Sequence, residues 1–220
     1  MVRVFSFIAT IILIVSCKKG TDQPTLSEAN YQITVTGKWQ MPQFGVPPNV
    51  HFTYFAGMVH NSTSSLWMPG QNSSLGIKNV AENGGLTQII HEVDSILALN
   101  NSISHIAFPP PSAIGMVTSN IHCNSNFSYV SFASMIAPSP DWFIGVHDLN
   151  LYNNKVWQTD TLINLYVYDA GTKEGDAFSM TGAATIPQQT IILQTPAKAT
   201  VLANGNSSLP PIATVRFTKL

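Results

Sequence analysis

The 220-residue sequence has little charge, little cysteine and no basic stripe. Asp, Glu, Lys and Arg make up only 10% of it, against roughly 25% in an ordinary soluble domain. That composition argues against a cytosolic protein. Ten basic residues face eleven acidic ones for a net charge of −1, and the Lys and Arg are scattered. With no run of cations to neutralise phosphates, no nucleic-acid partner is expected. The only cysteines are Cys17 and Cys123, too few for a disulfide framework. No repeat at a solenoid or propeller period and no low-complexity linker divides residues 31–220. What is present is apolar: 45% hydrophobic and 10% aromatic residues can bury a core, which excludes disorder, and the length suits one domain. Fourteen Gly and fourteen Pro, with many Ser, Thr and Asn, mark frequent turns between short elements and favour an all-β fold.

Residues 1–17, MVRVFSFIATIILIVSC, join one positive residue, Arg3, to an apolar run from Val4 to Val15. This is the layout of a signal peptide. Twelve helical residues rise about 18 Å, short of the ~30 Å hydrocarbon core, so a transmembrane span is the poorer reading. An ordinary secretory cleavage site wants a small residue where Ile14 stands, third-last before Cys17. The run Ile14-Val15-Ser16-Cys17 instead resembles the lipobox of bacterial lipoproteins, in which the cysteine is acylated and becomes the mature N-terminus. The expectation is a protein secreted across the inner membrane and lipid-anchored through Cys17 at the outer membrane, its periplasmic face or the cell surface. The anchor alone would touch the membrane. Residues 18–30 then form a polar tether and residues 31–220 the folded domain. Cys123 follows His122, but adjacent side chains in a strand point to opposite faces, so a buried free thiol is expected there.

Tyr31, Ile33 and Val35 alternate with Gln32, Thr34 and Thr36, the period of a half-buried strand ended by Gly37. A second strand is expected over residues 51–60, and further strands at about 113–119, 127–136, 142–152, 162–169, 188–194 and 212–219. Between them, Leu86, Ile89, Ile90, Val93, Ile96 and Leu97 recur at three and four residues. They predict an amphipathic helix over 86–99 with Thr87, Gln88, His91, Glu92, Asp94 and Ser95 outside. A shorter helical turn is expected at 76–82, closed by Asn83-Gly84-Gly85. The fold class is an antiparallel, eight-stranded β-sandwich with one or two helices inserted around 76–99.

The acids are unevenly spread: six of the eleven lie between 141 and 176, namely Asp141, Asp148, Asp160, Asp169, Glu174 and Asp176. Asp141 precedes one apolar strand and Asp169 closes another, so neighbouring antiparallel strands would bring the two together at one end of the sandwich. Two carboxylates beside a Gly-rich loop suit Ca²⁺, a hard ion that takes six to eight oxygens. They equally suit turn residues that accept local backbone N–H bonds.

The run Ser134-Met135-Ile136-Ala137-Pro138-Ser139-Pro140-Asp141-Trp142-Phe143-Ile144-Gly145-Val146, followed by Tyr168-Asp169-Ala170-Gly171-Thr172, resembles the spondin domain of the F-spondin and mindin family of animal matrix proteins. Residues 31–39, His60, Trp67, Ser74-Leu75-Gly76 and Val80-Ala81-Glu82 are similar to further family motifs in the same order. The resemblance covers about residues 30–180. It implies an eight-stranded antiparallel sandwich, a bound calcium ion, and roles in adhesion and recognition. The family's metal carboxylates correspond to Asp141, Asp169 and a third Asp at the position of Lys173. A cation there removes an oxygen and adds repulsion, which leaves Glu174 and Asp176 as substitute ligands or Lys173 itself as the neutralising charge. The reelin-like segment and thrombospondin repeats of the animal proteins find no counterpart, so the expectation is the module alone.

No Gly-x-Ser-x-Gly elbow is present and the six His are dispersed, so no catalytic triad is expected. His91-Glu92 lacks the second zinc-ligating His, because Ser95 stands four residues on. His51 and His60 are expected to be hydrogen-bonded structural groups. Trp39, Trp67, Trp142 and Trp157 are expected in the core, the competing reading being a sugar-stacking surface. The chain therefore reads as a non-enzymatic, calcium-associated, anchored binding module for a protein or glycan ligand. The alternative is a hydrolase or carbohydrate-binding accessory lipoprotein.

Overall fold

The computed structural model describes residues 26–39, 49–203 and 205–220. The signal segment with Cys17 and most of the tether lie outside the described residues. Along the chain come β1 (Glu28–Gly37), β2 (His51–Phe52), β3 (Phe55–His60), α1 (Leu75–Asn83), α2 (Thr87–Ala98), β4 (Ser102–Phe108), β5 (Met116–Asn124) and β6 (Tyr129–Ala137). There follow β7 (Trp142–Asn150), β8 (Tyr152–Asn153), β9 (Val156–Trp157), β10 (Asp160–Leu165), β11 (Tyr168–Asp169), β12 (Ile192–Leu193), α3 (Thr200–Ala203) and β13 (Ala213–Lys219).

Two antiparallel sheets form an all-β sandwich. One has the order β10-β13-β1-β5, and the other β12-β11-β7-β6-β3-β4 with β2 also on β6. Eight strands have six or more residues, four in each sheet. The alternation in β1 does what its period requires: Tyr31, Ile33 and Val35 are fully buried against the second sheet, while Gln32, Thr34 and Thr36 lie partly open. β3 is buried at every position because both its faces are covered. Phe55 and Val59 enter the inter-sheet core, and Ala56 and Met58 meet Ile77, Val80, Ile89 and Val93 of the helices. A sheet covered on both sides reads as a continuous apolar run.

The helices form where the periodicity places them. Ser74 caps α1 by accepting from the Ile77 N–H at 3.2 Å, and Gly84 ends it in the left-handed region at φ 70°. Glu92 of α2 is not simply an outward residue. Its carboxylate accepts from the Gly76 N–H and from the Ser74 hydroxyl, both at 2.7 Å, and so places a negative charge at the start of α1, where the helix dipole favours it.

Three strand expectations are corrected and one strand is added. Residues 51–60 form two strands, because the five residues from Phe52 to Ala56 stand against only four on β6, from Ile136 to Ala133. The hydroxyl of the intervening Thr53 accepts the Met135 N–H at 3.0 Å, the local adjustment a bulge needs. Residues 162–169 are split, since β10 belongs to one sheet and β11 to the other and the chain changes sheets at Tyr166-Val167. Of 188–194 only Ile192–Leu193 pair as a strand. β4 was not anticipated: it is a sheet edge whose Ser102, Ser104 and His105 interrupt the apolar pattern.

Candidate functional site

The start of β7 and the end of β11 carry the acidic pair: Asp141 immediately precedes β7 and Asp169 is the last residue of β11. β7 and β11 run antiparallel with Trp142 opposite Asp169, and the Ala170 N–H donates to the Asp141 carbonyl at 3.0 Å. The two carboxylates expected at neighbouring strand ends are thus brought together. Gly171 follows at φ 71°, and a Cβ there would lie 2.3 Å from the Gln189 carbonyl oxygen. Only glycine makes this turn without a clash. The turn aims two successive backbone N–H groups, those of Thr172 and Lys173, at Asp141 Oδ2 at 2.7 and 2.9 Å, and the Thr172 hydroxyl adds a contact at 3.2 Å.

Asp141 is fully buried, and its other oxygen, Oδ1, has no hydrogen-bond partner among the described residues. Burial first, and then the charge of Asp169, push the Asp141 carboxyl up to about 6 against the hydrogen bonds from Thr172 and Lys173. Asp169 is raised too, again chiefly by burial and also by the charge of Glu174. The Gly171 N–H, donating to Oδ1 at 2.7 Å, the Lys198 charge, and the Gln194 amide, donating to Oδ2 at 3.0 Å, pull it back. Gln194 is itself buried, and its Oε1 is a second oxygen without a partner. Buried polar atoms are paired in the large majority of cases. Asp141 Oδ1 and Gln194 Oε1 are thus two buried acceptors without a partner among the described residues, close in the fold to a carboxylate pair whose burial disfavours charge.

An open cleft of about 340 Å³ adjoins the pair, lined by Asp169, Lys173, Glu174, Asp176, Gln194 and Lys198 among others. Glu174 and Asp176 are exposed, and no group of three His, Cys, Asp or Glu stands at metal-holding spacing among the described residues. Neither residue is therefore drawn into a three-carboxylate cluster. The Lys173 ammonium donates to the Met180 carbonyl. Neither Lys173 nor Lys198 forms an ion pair with the two aspartates among the described residues. Lys173 thus serves Asp141 through its backbone N–H, which any residue but proline supplies. The sequence does not single out Gln194, whose partner Asp169 lies 25 residues away in the chain. Its one signal is an amide ending the apolar run Ile191-Ile192-Leu193.

The remaining candidates have structural surroundings. Cys123 is a buried free thiol that burial pushes up to about 12, and the neighbouring His122 is exposed and contacts Asn30. All four Trp are buried. His51 Nδ1 meets the Asn49 carbonyl at 2.8 Å. His60 is fully buried: its Nδ1 meets the Asn61 carbonyl at 2.8 Å and its Nε2 meets the Ser131 hydroxyl at 2.9 Å. Asp148 lies 3.6 Å from Nε2, on the hydroxyl side of the ring. A serine nucleophile needs the carboxylate at Nδ1 and an open hydroxyl, and this trio has neither. No helix among the described residues is long and apolar enough to cross a membrane.

Comparison with known proteins agrees with the geometry. The Spondin_N family model matches residues 29–204. Spondin-2 of Rattus norvegicus is 33% identical over 204 residues, which cover 87% of this chain and 62% of that protein. Spondin-2 of Homo sapiens is 34% identical over the same shares. Spondin-1 of Gallus gallus is 27% identical over 185 residues, 78% of this chain and 23% of the relative. The chain thus spans a little under two thirds of Spondin-2. The family model covers well over half of the chain, and the chain belongs to the Spondin_N family.

Proposed function

We propose that this spondin-type module works outside the cytoplasm as a lipid-anchored, non-enzymatic binding domain whose loop end is organised by calcium. The observation that carries the calcium reading is the pair of buried oxygens without partners among the described residues, Asp141 Oδ1 and Gln194 Oε1, the latter on the amide that donates to Asp169. Asp141 and Asp169 would hold the ion, with the exposed Glu174 and Asp176 close enough in sequence to add charge to the cleft. A hard divalent cation supplies there the positive charge that the two carboxylates lack. Extracellular modules bind calcium at roughly 10⁻⁴ to 10⁻³ M, so a site with two carboxylates suffices outside a cell. The ligand of the module is a protein or glycan reached from the membrane surface through the tether, and the resemblance to Spondin-2 and Spondin-1 supports a recognition role.

Calcium is tested by thermal melts of the purified chain with and without CaCl₂, wild type beside Asp141→Asn. A rise in Tm for the wild type alone supports the reading. An unchanged wild-type Tm together with no calcium by elemental analysis overturns it. The anchor is tested by mass spectrometry of the chain expressed with its first seventeen residues in a bacterium that processes lipoproteins. Acyl mass on Cys17, lost in Cys17→Ala together with membrane association, is the expected result.

A further inference from the structure

We propose that Gln194 is a calcium ligand, its Oε1 supplying the side-chain oxygen that the spondin-type site loses at Lys173. This rests on the calcium reading above and names one of its ligands. Gln194 is only 5% exposed. Its backbone is fixed at the end of β12, where its N–H donates to the Val167 carbonyl at 2.9 Å. From there its amide reaches Asp169, donating through Nε2 to Oδ2 at 3.0 Å, and it lines the cleft beside that carboxylate.

An amide that served only to bridge β12 to β11 would have its oxygen paired as well as its nitrogen, as buried acceptors nearly always are. Oε1 instead has no partner among the described residues, which leaves its lone pairs open to an ion. The chemistry also suits the ion. Calcium accepts Gln and backbone carbonyl oxygens alongside carboxylates. Asp141 and Asp169 already supply two negative charges, so a neutral third oxygen completes the set without adding repulsion to a pair whose burial disfavours charge. Lys173 cannot fill this place, because its ammonium carries no lone pair for a cation and its backbone N–H serves Asp141. The third oxygen therefore comes from a different strand, some twenty residues further along the chain.

The test is isothermal titration calorimetry with CaCl₂ on the purified chain, comparing wild type with Gln194→Ala, Gln194→Glu and Asp141→Asn, each first checked for a cooperative melt in EDTA. Gln194→Ala is expected to weaken calcium binding about tenfold, Gln194→Glu to tighten it about tenfold, and Asp141→Asn to abolish it. If Asp141→Asn loses calcium while both Gln194 variants bind it as the wild type does, the role of Gln194 is overturned and the calcium reading stands. If the wild type binds no calcium, both fall. Should Gln194→Ala fail to fold, Gln194→Glu decides alone, and unchanged or weaker affinity overturns the proposal.

Discussion

His60 and Asp141 are both completely buried ionisable side chains of the same sheet, one at the end of β3 and one just before β7, yet their surroundings treat them differently. Each ring nitrogen of His60 has a partner. The carbonyl at Nδ1 requires a proton there, so Nε2 accepts from the Ser131 hydroxyl, whose oxygen in turn accepts the Asp148 N–H at 2.8 Å. The neutral imidazole completes a closed network, and burial holds its pKa below the ordinary value. Asp141 has three hydrogen bonds converging on one oxygen and none on the other. Burial by itself therefore does not mark a site. The distribution of partners separates the two: the network around His60 is closed, and that around Asp141 leaves one oxygen without a partner among the described residues.

The largest expected effect breaks the closed network. His60→Ala empties the place of a fully buried ring and removes the Nε2 partner of the buried Ser131 hydroxyl, and is expected to cost about 3 kcal/mol in urea unfolding. Its calcium-induced stabilisation should match that of the wild type, because His60 is remote in the network from Asp169. A calcium response lost along with stability would show the two regions to be one unit. Next comes Asp141→Asn, which keeps an acceptor for the loop N–H groups and removes a charge that burial opposes. Without calcium its stability should fall within about 1 kcal/mol of the wild type. At tenfold over the wild-type dissociation constant it should lack the stabilisation of about 1.4 kcal/mol that calcium gives the wild type.

A pH series separates the regions further. His60 faces the Asp148 carboxylate and the Tyr129 ring, yet desolvation outweighs that carboxylate and lowers its pKa. Above the unfolded value of 6.5 both states are neutral and the network contributes fully. As pH falls through 6.5 and then through the lower folded value, the unfolded chain takes up a proton that the folded chain resists, and that contribution is lost. The stability gap between wild type and His60→Gln, measured in EDTA, should therefore narrow from pH 7.5 to 5.5. A gap that widens would mean that the folded imidazole is charged. The smallest effect is expected for Lys173→Ala, which keeps the backbone N–H to Asp141. It should change calcium-free stability by no more than about 0.5 kcal/mol and leave calcium affinity no weaker. A marked loss of affinity would give the Lys173 ammonium a role in the site.

The sequence shows these regions unequally, for physical reasons. β1, α1 and α2 are legible because each has one covered face, so period and burial coincide. The pairing of Asp141 with Asp169 is legible because both sit at strand ends that antiparallel neighbours must bring together. β4 is hidden by Ser102, Ser104 and His105, which an edge strand tolerates. The break between β10 and β11 is hidden because Leu165-Tyr166-Val167-Tyr168 keeps an unbroken alternation while the chain changes sheets. Gln194 is invisible because its meaning depends on Asp169, 25 residues away in the chain. Glu92 is misplaced because a helical period carries no information about the N-terminus of another helix lying against it.

The register of β1 with β13 bears on how this protein is made. Tyr31 pairs with Lys219 and Gly37 with Ala213, so β13, which sits between β10 and β1, comes from beyond the segment shared with the family. The first sheet cannot close until residue 219 has been delivered, and pairings of such long sequence separation form slowly. Closure of that sheet is thereby tied to residues 213–219, so removing β13 should leave β1 and β10 without the strand that joins them.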